Sequence, residues 1–230
     1  FSSNLTTKKI CRKIEHFRVL DSTNKIIYAM FENNEIKSGA LVIADEQTEG
    51  KGRRRNKWIS EPGKSLTFSL IIKNNEPQLI KKLPLVLGIA IIEAIKKLTK
   101  VNCYLKWPND ILYQSKKLAG ILIEQKKNHF IIGVGINVND ANLDTSIKNG
   151  VSLQSILQHS IQREPLLAFI CNNIETLLES DMDTIIQHWE SVCSHMNSIV
   201  KFHNHNKIIV GKFVGLNQNG EASLELNKKI

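Results

Sequence analysis

Between Val101 and Val138 the chain reads as four strand-like stretches, "VNCYLKW", "ILY", "LAGILIEQ" and "HFIIGVGINV", and only short polar turns separate the last three. Strands joined so tightly cannot run parallel, because a parallel crossover takes a dozen or more residues. They predict an antiparallel meander. Upstream, "HFRVL" (His16 to Leu20) alternates like a strand, and "DSTN" (Asp21 to Asn24) offers a helix cap to the helically spaced "KIIYAMF". "GALVIAD" (Gly39 to Asp45) is a continuous apolar run of buried-strand length, and "SLTFSLII" (Ser65 to Ile72) reads as a further strand. Leu83 to Leu98 is apolar on most faces and predicts a buried helix. From Ser152 three segments carry helical spacing, with Pro165 in the first turn of the second. After Asn197 strand patterns return, with "NQNG" as a tight turn, and predict a small SH3-like β-barrel. The fold class is thus α+β: a central, mainly antiparallel sheet with helices over 1–194, then a small β domain over 195–230.

Composition narrows the classes. With 230 residues, 42% hydrophobic and 23% charged, the chain is globular, and a chain of this length buries roughly 70–75% of its unfolded surface. The longest apolar run, Leu83 to Ile95, falls short of the ~20 residues a membrane span needs. The first residues are polar, unlike a signal peptide, and the chain opens on Phe1, as a fragment would. Cys11, Cys103, Cys171 and Cys193 are scattered, which argues against a zinc site or disulfide framework and for a reducing, cytoplasmic setting. His195, His203 and His205 lie in a polar turn region without thiolates and read as surface histidines. A net charge of +9 attracts nucleic acid, phosphates or acidic proteins alike.

The charge is concentrated. "EGKGRRRNKW" (Glu49 to Trp58) sets Lys51, Arg53, Arg54, Arg55 and Lys57 on a support opened by Gly50 and Gly52. Their mutual repulsion predicts a loop that is mobile until an anion enters, when guanidinium forks gain planar partners. Trp58 offers a flat face at the loop's exit. Taken alone, the loop is equally a solvated hairpin or a nucleic-acid patch. In "KWPND", Pro108 ends the strand and turns Asn109 and Asp110 outward, although both are also ordinary turn residues. In "SKKLAGILIE", simple alternation puts Lys117 and Ala119 on one face, with Lys117 as a point charge for a phosphate or carboxylate. Gly120 there removes a side chain that would wall off a ligand. "GVGINVN" lacks the third glycine and following helix of a dinucleotide fingerprint. Its glycines predict close approach of a ligand or another backbone, and Asn137 is a candidate reader of a base edge.

In order and spacing, "DSTN", the Arg-rich loop ending in Lys-Trp, "KWPND", "KKLAGILIE" and "GVGINVN" together resemble the biotin–protein ligase family, from about Val19 to Asn139. The resemblance implies a fold shared with class II aminoacyl-tRNA synthetases and biotin–lipoate ligases. It also implies an activity: biotin and ATP form biotinyl-5′-AMP and pyrophosphate, and biotin then passes to a lysine of a carboxyl carrier domain. By the same resemblance Ser22, Thr23 and Gln47 bind the ureido end of biotin, with Gly120, Ile121 and Leu122 lining its channel through backbone contacts and apolar side chains. Lys51, Arg53 and Arg54 lie over the carboxylate and phosphates, and Lys117 bridges the carboxyl and α-phosphate. Asn56, Trp58 and Asn137 hold the nucleotide, Trp58 and Asn137 at the adenine. Asp110 serves the acceptor amine as base or positioner. Magnesium arrives on the phosphates, without direct protein ligands. The implied form lacks an N-terminal DNA-binding domain, binds neither DNA nor membrane, and is a monomer or homodimer.

Two positions depart from the family loop Gly-Arg-Gly-Arg-Arg-Gly: Lys51 replaces Arg and Arg55 replaces Gly. Lysine keeps the charge and loses the bidentate fork, and Arg55 strains the loop if that glycine has positive φ. The rival readings are a lipoate or octanoate ligase, which shares the acyl-adenylate chemistry, and a nucleic-acid-binding module. The latter predicts aromatics interleaved with the basic residues, and the loop has none before Trp58.

Overall fold

A computed structural model of the chain describes residues 4–141, 143, 149–204 and 207–226. The expected sheet is present with seven strands: β1 (Ile14–Leu20), β2 (Leu41–Gln47), β3 (Leu66–Lys73), β4 (Tyr104–Lys106), β5 (Asp110–Tyr113), β6 (Lys116–Lys126) and β7 (His129–Ile136). Their order is β1-β2-β3-β7-β6-β5-β4. Only β1 and β2 pair in parallel, and the crossover between them carries helix α1 (Thr23–Glu32), as a parallel connection requires. The meander from β4 to β7 is the one read from the turns. The second strand runs two residues later than Gly39 to Asp45, which puts Gln47 in the sheet.

The sheet divides its side chains by parity. From β3, Leu66, Phe68 and Leu70 enter a large apolar core; from β7, Ile132, Val134 and Ile136 join them. Helix α2 (Leu79–Thr99) covers this face and packs against α4 (Arg163–Leu178) and α5 (Met182–Ser191). Short α3 (Leu153–Leu157) precedes them, held by a capping box between Ser152 and Ser155. The helix starts at Leu79, earlier than the predicted Leu83, with Pro84 inside it. On the opposite face α1 buries Ile27 against Ile71, Ile131 and Val42. That face is apolar only in part. Along β3 the same parity reads Thr67, Ser69, Ile71, and along β7 Ile131, Gly133, Gly135. Where the small and polar residues stand, no helix covers the sheet, and a cleft opens.

The expected C-terminal β module is a three-stranded antiparallel sheet among the described residues: β8 (Ile199–Asn204), β9 (Lys207–Leu216) and β10 (Ala222–Glu225). The predicted turn closes on Gly220, at φ 72°, whose N–H donates to Asn217 O at 2.8 Å. Phe213 of β9 is fully buried against Trp189 and His195, and Trp107 meets Phe202 edge-on with centroids 5.2 Å apart. His195 is therefore part of an aromatic contact and not the surface histidine expected. Burial, then nearby Lys106, lowers its pKa. The side chain of His203, and His205 altogether, lie outside the described residues.

Scattered in sequence, Cys11 and Cys171 meet in space. Residues 5–13 run without strand or helix over α4, where the Glu175 carboxylate accepts from the backbone N–H groups of Lys8, Lys9 and Ile10 at 2.6 to 3.0 Å. Among the described residues no helix is long and apolar enough to cross a membrane.

Candidate functional site

The cleft begins at the N-terminus of α1. Ser22 occupies the N-cap position, yet its side chain caps nothing. Gln47 does the work instead: its Oε1 accepts from Thr23 N at 2.8 Å and from Thr23 Oγ1 at 3.1 Å. The predicted cap is thus corrected, and the Ser22 hydroxyl is spared for other partners. Ser69 Oγ lies 2.7 Å from Thr23 Oγ1 and 2.6 Å from Asn24 Oδ1, while Asn24 Nδ2 donates to Glu124 Oε2 at 2.6 Å. This end of the cleft is a buried, uncharged hydrogen-bonding wall with one carboxylate behind it.

The floor is built from glycines. A Cβ on Gly133 would stand 2.5 Å from Asn24 Oδ1, and one on Gly135 would stand 2.3 Å from Trp58 Cε2. Neither position tolerates a side chain, because real Cβ atoms do not approach heavy atoms so closely. The glycines therefore admit two protein side chains, Asn24 and Trp58, where the sequence suggested a ligand or backbone. Gly120 likewise lies under Lys117 Nζ, 3.1 Å from an added Cβ, and under Trp58. Leu122 continues this row; Ile121 does not. Its side chain is buried in the α2-side core, so only its backbone reaches the cleft, and there Asn109 takes both groups. The apolar channel wall assigned to Ile121 is corrected accordingly.

The other end is cationic. The basic loop forms a hairpin, with Trp58 N donating to Gly50 O at 2.9 Å and Gly52 N to Asn56 O at 2.7 Å. Its tip, Arg53–Arg55, is a turn of 3-10 helix in which Arg54 takes φ 56°, a left-handed conformation that costs a non-glycine residue about 1 kcal/mol. Arg53 lines the cleft and donates to Asn109 Oδ1 at 2.9 Å. Burial, then repulsion from Arg54, lowers its pKa, against an opposing pull from Asp110. Lys51 also lines the cleft. Lys117 Nζ pairs with Asp110 Oδ1 at 2.6 Å. Asn109 and Asp110 are thus turned to protein partners, not outward.

Lys117 reaches this side through a β-bulge. Leu112 pairs with Lys117, but Ile111 pairs with Ala119, so Leu118 is absorbed without a partner on β5. Leu118 and Ala119 both enter the core while Lys117 and Gly120 face the cleft. Simple alternation, which put Lys117 with Ala119, fails at this one residue. The backbone of Lys117 is then clamped from two sides. It bonds Asn149 O and Val151 N, and Asn137 Nδ2 donates to Lys117 O at 3.3 Å and Val151 O at 3.1 Å. Asn137 is 2% exposed, and its Oδ1 has no partner among the described residues. Trp58 Nε1 is likewise buried and unpaired.

Ser22, Thr23, Gln47, Lys51, Arg53, Trp58, Lys117, Gly120, Ile121 and Leu122 all line one cleft. Asp110 and Asn137 stand behind it, each holding Lys117. Sequence reasoning missed Asn24, Asn109 and Ser69. Asn24 and Asn109 sit inside motifs already quoted, whereas Ser69 betrays itself only as a polar residue within an apolar strand. No group of three or more metal-ligating side chains occurs among the described residues. Asp110 is the carboxylate beside the cations, and Lys117 already takes it.

Comparison with known proteins gives a consistent result. The sequence profile of the Biotin/lipoate A/B protein ligase family matches residues 16–138. The chain is 31% identical to the bifunctional ligase/repressor BirA of Bacillus subtilis, over 98% of this chain and 73% of that protein. It is 32% identical to the Escherichia coli protein of the same name, over 90% of this chain and 67% of that one. The biotin protein ligase from Aquifex aeolicus in complex with biotin and ATP superposes with a TM-score of 0.84 at 32% identity, covering 93% of this chain and 91% of that one.

Proposed function

Because the chain belongs to the biotin/lipoate A/B protein ligase family, we propose that it is an ATP-dependent biotin–protein ligase. It joins the biotin carboxylate to the α-phosphate of ATP, releases pyrophosphate, and transfers biotin from the adenylate to a lysine of a carboxyl carrier domain. One observation carries this reading: a single cleft has a neutral hydrogen-bonding end at Ser22, Thr23 and Gln47, a glycine floor, and a cationic end at Lys51, Arg53 and Lys117. A ligand with a ureido head, an apolar middle and a carboxylate fits that polarity in one orientation.

The chemistry needs the cationic end. Carboxylate attack on a phosphate brings two anions together, and fixed positive charge stabilises the developing transition state. Lys117 is suited to bridge the two, being held from behind by Asn137 and Asp110. Arg53 and Arg54 are assigned to the phosphates, and Asn56 and Trp58 to the nucleotide. The orphan Oδ1 of Asn137 is a buried acceptor matched to an exocyclic amine such as that of adenine. Magnesium is read as arriving on the phosphates of ATP. Asp110 is read as base or positioner for the carrier amine. Residues 1–194 are read as the catalytic unit and 195–230 as the small β domain, which meet where Phe213 packs on Trp189 and Phe202 on Trp107. Free thiols and soluble substrates support a cytoplasmic setting.

Pyrophosphate exchange into ATP, run with biotin, with lipoate and with neither, tests the proposal. Exchange with biotin alone is the expected result; exchange with lipoate in its place overturns the substrate assignment.

A further inference from the structure

Outside the cleft, the strongest unassigned chemistry is a pair of thiols. Cys11 Sγ lies 2.8 Å from Cys171 Sγ, less than about 1 Å beyond a disulfide bond of ~2.05 Å. The two are 1% and 0% exposed, and one belongs to the irregular N-terminal segment and the other to α4. Cys11 also adopts φ 55°, and its N–H donates to Gly39 O at 2.6 Å, so the backbone is fixed in an unusual conformation with its thiol directed at α4. Nothing in the ligase chemistry uses either residue. We propose that Cys11 and Cys171 are a redox modification site, a dithiol that closes to a disulfide by exchange with a small-molecule disulfide and staples the N-terminal segment to α4.

The step balances without further reagents. A thiolate of the pair attacks one sulfur of the small disulfide and forms a mixed disulfide, expelling one thiol. The second cysteine then attacks the protein sulfur of that mixed disulfide and expels the other thiol. Two protein thiols lose two electrons and two protons; the small disulfide gains them as two thiols. Access comes through the segment of residues 5–13, which has no strand or helix and can open locally at lower cost than α4. Between such openings the thiols resist attack. The hydrogen bond to Cys171, then burial, holds the Cys11 thiol well above its usual pKa. Cys103 is a built-in contrast, with its thiol pushed up to about 12 by burial. Cys193, half-buried beside His195, is the competing site for a mixed disulfide.

The full-length chain carrying Cys193→Ser is incubated with oxidised glutathione, alkylated under denaturing conditions and weighed intact. The expected product is about 2 Da lighter than the dithiol and escapes alkylation at two cysteines. Its melting temperature rises by roughly 5–15 °C, the rise is reversed by dithiothreitol, and it is absent in Cys11→Ser and Cys171→Ser. Should native protein react too slowly, refolding from denaturant in the same glutathione buffer gives the pair its chance, and closure by either route supports the site. Failure by both routes, with all thiols alkylatable or carrying separate glutathione adducts, overturns it. A disulfide that forms without raising the melting temperature overturns the stapling role.

Discussion

The carboxamide of Asn109 joins a cation of the basic loop to a strand of the sheet: its Oδ1 accepts from Arg53 Nη1 at 2.9 Å while its Nδ2 donates to Ile121 O at 3.0 Å. An uncharged acceptor orients the guanidinium and leaves its charge available to an anion. A carboxylate at the same place would neutralise it.

Replacing Asn109 with Ala removes that bracket. A hydrogen bond to a charged group is worth roughly 1.5–3 kcal/mol, so biotin-dependent pyrophosphate exchange is expected to lose about 10- to 150-fold in kcat/KM. Wild-type exchange in N109A would show that Arg53 needs no such anchor.

Gly135 has no room for a methyl group, which would stand 2.3 Å from the Trp58 ring. In Gly135→Ala the indole must leave its seat while the strand ladder on either side stays intact. The expected result is a protein with unchanged far-ultraviolet circular dichroism, altered tryptophan fluorescence and roughly 5- to 150-fold weaker ATP affinity, from the ~1–3 kcal/mol of a lost base stack. Titration of ATP against intrinsic fluorescence measures it.

Asp110 touches the proposed chemistry through Lys117 at 2.6 Å. Asp110→Asn keeps the shape and removes the negative charge. Single-turnover assays should show transfer to the carrier lysine slowed much more than adenylate formation. Equal losses in both steps would leave Asp110 as a mere holder of Lys117.

Glu175 gives a pH-dependent signature. Burial raises its pKa, but backbone donors at Lys8, Lys9 and Ile10 lower it further, and the net shift is downward from 4.5. A folded pKa below the unfolded one stabilises the fold above the unfolded value, and the benefit is lost as pH falls through the folded value. Glu175→Gln should therefore cost about 1–2 kcal/mol at pH 7, after allowance for solvent screening. The gap between wild type and variant in urea melts should close below pH 4.5. A gap that does not narrow at all as the pH falls below 4.5 would assign the cost to packing.

Much of this molecule can be read from its residues because the cues are local. The meander follows from turn length, α1 and α4 from helical spacing, and the site motifs from charge and glycine placement. What could not be read depends on contacts distant in sequence. Gln47 caps α1 from 24 residues away, so "DSTN" alone suggests a cap that Ser22 does not make. Parity fails at Leu118 because a bulge is a property of two strands, and one strand's sequence does not reveal it. Ile121 does line the cleft, but its side chain is buried in the core, which its place in the motif does not reveal. Cys11 and Cys171 have no shared spacing, and only the seat of the N-terminal segment on α4 unites them.

Trp58 ties the cleft to the basic loop. The cleft that Trp58 helps to line has about 480 Å³ of empty volume, open solvent included. The indole packs over Gly120 and Gly135 on the floor of that cleft. The Trp58 backbone is tied to Gly50 O by its N–H, and on that same hairpin ride Lys51 and Arg53. The flat face on the cleft floor and the cations at its rim thus share one backbone support, and any swing of that hairpin carries both together.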